Sequence, residues 1–105
     1  MLKIKDSVNL KELEKFGFEK FRTIWNSDPN MPYETIWYYD LEFTNIDKKV
    51  TIPLLKINES NRIVEECIDI KYEGYCIVHE TRLNVLYDLI KADMVEKVEV
   101  EKDDN

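Results

Sequence analysis

Few residues in this chain have the types and spacing that chemistry requires. His79, the single histidine, has Glu80 beside it and Cys76 three positions earlier. A histidine near a helix start with acidic neighbours could act as a general base. No serine or cysteine is tied to it by a nucleophile motif, so a structural or solvated role is the expectation. The paired acids Glu65-Glu66 and Asp103-Asp104 are the next candidates. Adjacent residues on a strand point to opposite faces, so the first pair cannot converge on one substrate atom as a hydrolytic dyad does.

Metal and cofactor chemistry has even less to work with. Cys67 and Cys76 are the only cysteines and form no C-x-x-C pair, so a zinc cage is not expected and two reduced thiols are. Oxygen ligands at calcium-loop spacing are missing. Gly17 and Gly74, the only glycines, lie far apart, which excludes a glycine-rich phosphate cradle. The expectation is a chain that is not an enzyme and takes no cofactor.

Charge narrows the choice of partner. Residues 1–57 carry nine acids and nine bases and residues 58–105 carry thirteen and six, so the whole net charge of −7 falls in the second half. Such a surface repels polyphosphates, which argues against direct nucleic-acid binding and against an anionic membrane. It suits a protein with a basic surface. The expected contact residues are Glu65, Glu66, Asp69, Glu73 and Glu80, with Ile36 and Tyr38 as apolar anchors, or else the Asp28 to Pro32 loop.

The elements that must position these residues start from Tyr33 to Phe43, Y-E-T-I-W-Y-Y-D-L-E-F. Its odd positions are continuously apolar or aromatic and its even positions mostly polar, the period of a strand packed on one side. Ile36 and Tyr38 break that pattern by standing on the polar side. Before this strand, Leu2 and Ile4 suggest a short strand or lead-in. Asn9 with Glu12 has capping-box spacing for a helix carrying Leu10, Leu13 and Phe16, ended by Gly17, with Phe18 packing back on Leu13. Phe18 to Trp25 reads as a strand with Phe21, Thr23 and Trp25 on one face.

Val50 to Ile57 should pair back on the organising strand, with Pro53 forcing a sheet edge or a bulge. Glu65 to Tyr72 and Tyr75 to His79 read as a hairpin about Glu73-Gly74. Thr81 opens a second helix with Leu83, Leu86, Tyr87 and Ile90 on its buried stripe, widened by Val85 and Leu89, and ending near Ala92 or Asp93. Val95 to Val100 suggests a last strand before a frayed acidic tail.

At 105 residues, with 44% hydrophobic and 35% charged residues, the chain is expected to be a single α+β domain. Its sheet is antiparallel and meandering, of about five to six strands, with two helices packed on one face. No apolar run reaches the roughly 20 residues that span a bilayer. The start M-L-K-I-K-D lacks the apolar core of a secretion signal, so a cytoplasmic setting is expected.

The opening K-I-K-D-S-V-N-L-K-E-L-E-K-F-G-F and the closing L-N-V-L-Y-D-L-I-K-A-D-M-V-E-K-V-E-V resemble the ends of small, acidic, uncharacterised proteins of bacteriophages and prophages of low-GC bacteria. The resemblance covers about a third of the chain and holds no catalytic signature, so it carries over no functional residue. It implies a stoichiometric inhibitor of host machinery, including defence or nucleic-acid-handling proteins. A small self-assembling subunit, joined through a sheet edge at Val50 to Ile57, is the other expectation.

Overall fold

In the computed structural model, residues 1–26, 28–45, 47, 49–68, 71 and 76–99 are described. The elements are β1 (Leu2–Ile4), a 3₁₀ helix (Leu10–Phe16), β2 (Glu19–Trp25), β3 (Glu34–Asn45), β4 (Val50–Asn58), β5 (Ile63–Glu66), α1 (Cys76–Lys91) and β6 (Val95–Lys97). They form an α+β fold whose six-stranded sheet has the order β2-β3-β4-β5-β1-β6, with every neighbouring pair antiparallel.

Register divides the sheet into two faces. Tyr39 opposes Ile57, Leu41 opposes Leu55 and Phe43 opposes Ile52, while Ile57 opposes Val64 and Leu2 opposes Val64 from the other side. These residues, with Ile4, make the inner face. Leu10 and Leu13 of the 3₁₀ helix and Val78 and Leu89 of α1 join them in one core. Alternation places Lys3, Phe21, Ile36, Tyr38, Asp40, Lys56, Asn58 and Glu65 on the outer face, and none of these belongs to the buried core.

The first helix follows its punctuation closely. Asn9 caps it, its side chain accepting from the Lys11 N–H at 3.0 Å, and Gly17 leaves it at φ 94°. The Phe18 N–H then donates to the Leu13 carbonyl at 3.3 Å, and both side chains are buried. It winds as a 3₁₀ rather than an α-helix. The Pro53 expectation resolves as a bulge: the β3–β4 register shifts between Leu41 and Glu42, where Glu42 opposes Pro53 and Leu41 opposes Leu55. Leu54, the extra residue, is fully buried. β4 therefore lies inside the sheet, between β3 and β5, which overturns the expectation of a sheet edge at Val50 to Ile57.

Two further expectations are corrected. Residues 76–79 are not the second strand of a hairpin; they form the first turn of α1. Val78 and Arg82 continue the stripe of Val85 and Leu89 toward the amino terminus, and burying them outweighs the strand preference of Ile77 and Val78. The Thr81 Oγ1 also donates to the Ile77 carbonyl at 2.7 Å. The buried face of α1 is rotated from the expected one as well. Val78, Arg82 and Leu89 are buried, whereas Leu83, Tyr87 and Ile90 are exposed. The turn expected at Glu73-Gly74, the Tyr72 and Tyr75 ends of that hairpin, Val100 and the acidic tail lie outside the described residues.

Candidate protein-interaction surface

β3 is twelve residues long, and only its second half reaches the core. Tyr39 and Leu41 are buried, but Trp37 is 41% exposed and Tyr33, just ahead of the strand, 73%. With β2, this first half projects past the helices as a two-stranded ribbon, which also exposes Ile24, Trp25 and Met31. The expectation that the apolar side of Tyr33 to Phe43 would be covered along its whole length is thus corrected: Tyr33, Thr35 and Trp37 are exposed, and burial on this side begins at Tyr39.

Aromatic rings make side-chain contacts on both sides of the ribbon. On the inner side, the Lys20 Nζ stands 4.9 Å from the centre of the Trp37 ring and the Arg22 guanidinium carbon 5.9 Å from it. Lys20 also meets Glu59 at 3.6 Å. On the outer side, Phe21 and Tyr38 are directly opposed and stack with centroids 5.8 Å apart, and the Lys56 Nζ lies 4.6 Å from the Tyr38 ring.

The outer face gathers three of the expected contact residues and separates others. Ile36 and Tyr38 are half-buried there, on the same side of the sheet as Glu65. Glu34, Asp40 and Glu42 accompany them on β3, so an apolar pair sits within a row of acids. A groove of about 620 Å³ runs beside it, lined by Glu34 to Trp37 and by Asn58 to Ser60. Glu66 points to the opposite face from Glu65, as adjacent strand residues must. Glu80 stands exposed on α1, away from this row. Asp69 and Glu73 lie outside the described residues.

Asp40 and Asn58 are the polar residues that alternation alone does not single out. One side-chain oxygen of each, Oδ1, is buried without a hydrogen-bond donor. Burial raises the Asp40 carboxyl above its ordinary pKa; Lys56, directly opposite, pulls it back and Glu42 adds to the rise. Burial likewise raises the Cys67 thiol, helped by the negative charge of Asp40. A thiol held protonated is a poor nucleophile. No family model, curated protein or solved structure matches the chain.

The remaining chemical candidates are dispersed. Cys67 and Cys76 are both free, the first half-buried and the second exposed. His79 is exposed on the first turn of α1. Among the described residues, no three His, Cys, Asp or Glu side chains are grouped to hold a metal ion, and no helix is long and apolar enough to cross a membrane. Arg82 was not legible as special: a lone arginine within a helix looks like a solvated charge, yet it is 3% exposed.

Proposed function

We propose that the chain is a non-enzymatic protein-interaction module that meets its partner with the outer face of the sheet. Ile36 and Tyr38 are the apolar anchors, and Glu34, Asp40, Glu42 and Glu65, with Lys56 among them, form the charged surround. One observation carries this reading: two large apolar side chains stand within a row of carboxylates on the face of the sheet that bears none of the buried core. Anchors ringed by polar groups are the composition of a recognition surface. The charge of the row favours a basic surface on the partner. The resemblance of the chain's two ends to phage proteins points to a bacterial host protein, with the chain as its stoichiometric inhibitor.

Affinity capture from lysate of a low-GC bacterial host tests the reading in three parallel arms: the unaltered chain, an Ile36→Lys/Tyr38→Ser/Glu65→Lys variant and a Leu83→Lys control on α1. Circular dichroism first establishes that all three are folded. A host protein retained by the unaltered chain and the control, and lost by the outer-face variant, is the expected result. Equal retention by the outer-face variant, or no retained protein in any arm, rejects it.

A further inference from the structure

We propose that two copies of the chain join edge to edge through β2, antiparallel, with Thr23 on the two-fold axis. β2 ends the sheet, so its seven residues pair with β3 alone among the described residues. Sheet edges are usually blunted by shortness, charged side chains, proline, a bulge or a covering element. The opposite edge, β6, is three residues long. Among the described residues β2 carries only the charge of these protections, in Glu19, Lys20 and Arg22: its register with β3 runs unbroken from Glu19 to Trp25, it contains no proline, and Ile24 and Trp25 are 61% and 53% exposed.

Charge selects both the occupant and the register. A two-fold axis perpendicular to the sheet keeps the outer faces of both copies on one side and opposes residues symmetrically about a central one. Centring on Phe21 would set Lys20 against Arg22, and centring on Arg22 would set it against itself; directly opposed like charges destabilise a ladder. Centring on Thr23 opposes Phe21 to Trp25, Arg22 to Ile24 and Lys20 to Asn26, without like charges. Centring on Ile24 would leave a shorter ladder. The Thr23 register is therefore the longest one free of repulsion.

Side-chain placement agrees with it. Arg22 lies over Trp37 of β3, which draws its charge away from the joined edge. The Phe21–Tyr38 stack would gain the other copy's Trp25 beside Phe21, covering an exposed indole. A partner strand for this edge needs an aromatic residue two places to one side of a small central residue, another two places to the other side, and no lysine or arginine against Lys20 or Arg22. β2 itself has that pattern. The arrangement goes beyond the partner-binding reading, because a monomer would still present its outer face.

Light scattering over a concentration series, with a cysteine-specific cross-linker of short span, tests it. In a Cys67→Ser/Cys76→Ser background, Thr23→Cys brings two thiols face to face and is expected to cross-link into dimers, whereas Thr35→Cys on β3 is not. Thr23→Lys should weaken dimerisation several-fold, and Ile24→Glu, which would face Arg22 of the other copy, should strengthen it. Monomers at every concentration, equal cross-linking at positions 23 and 35, or weakening by Ile24→Glu overturns the proposal. A monomer whose β2 edge instead takes up an acidic strand from another protein also overturns it. None of these outcomes affects the capture experiment on the outer face.

Discussion

Arg82 of α1 donates from Nη2 to the carbonyl of Cys67 at 2.8 Å, and from Nε to the carbonyl of Leu54 at 3.3 Å. The Cys67 N–H donates to the same Leu54 carbonyl at 3.0 Å. A single guanidinium thus ties the helix to the bulge of β4 and to the chain leaving β5. Guanidinium loses less on leaving water than ammonium does, and its fork reaches two acceptors at once.

Replacing Arg82 by Met would keep the packing volume but take the guanidinium donor from the Cys67 carbonyl and leave the Leu54 carbonyl with the Cys67 N–H alone. The expected loss is about 2–4 kcal/mol of unfolding free energy, read by urea denaturation. Arg82→Lys should recover little of it, because an ammonium cannot span both carbonyls. A loss below about 0.5 kcal/mol, the size of an ordinary surface substitution, would contradict this account.

Arg62 closes the other end of the sheet. Its Nη1 donates to the carbonyls of Lys5 and Val8, each at 2.8 Å, while its own backbone sits at φ 61°. Arg62→Ala loses the charged hydrogen bonds and keeps the strained backbone, at an expected cost of about 2 kcal/mol. Arg62→Gly loses the same bonds but relieves the strain, so it should be less destabilising than Ala by up to about 1 kcal/mol. Thermal denaturation of the pair gives the order.

Gly17 leaves the 3₁₀ helix at φ 94°, and a Cβ built there would stand 3.4 Å from the Leu41 Cδ1. That distance is ordinary contact, so the penalty of Gly17→Ala is conformational rather than steric. About 1 kcal/mol of destabilisation is expected, and Gly17→Asn should cost less, since asparagine tolerates the left-handed region better. Equal stability of the Ala and Gly proteins in urea would show that the cap carries no weight.

Asp40 has a carboxyl raised by burial, with one oxygen lacking a donor. The folded state therefore holds this proton more tightly than the unfolded chain. The resulting stabilisation is complete below the unfolded carboxyl's ordinary pKa and is lost as pH rises through the folded value. At neutral pH the ionised group is a burden that Asp40→Asn removes. The variant should be the more stable at pH 7, by less than about 1 kcal/mol because solvent screens a partly exposed carboxylate. Its advantage over the parent should shrink as pH falls through the Asp40 titration; urea midpoints across that range test the sign.

What could be read in advance was local. Asn9 and Gly17 marked both ends of the first helix, because capping is decided by residues within a few positions of one another. Pro53 marked the bulge because a missing N–H has consequences wherever it falls in a ladder. Tyr33 to Phe43 marked a strand by alternation. The partition of its side chains between core and solvent was not legible, since alternation sorts residues by face and says nothing about how far the covering helices extend.

The amino-acid sequence by itself determined that this chain is a small acidic α+β domain, where most of its strands run and where its first helix stops, because those follow from periodicity, capping and backbone restrictions that act over short distances. Only the tertiary structure decided that α1 begins at Cys76 and buries Val78, Arg82 and Leu89 rather than Leu83, Tyr87 and Ile90, that the β2–β3 ribbon overhangs, and that Glu65 and Glu66 part company. Two helical stripes of similar period compete within α1. The winner is the one whose arginine finds carbonyl partners on β4 and just beyond β5, a contact between residues up to 28 positions apart that no local pattern encodes.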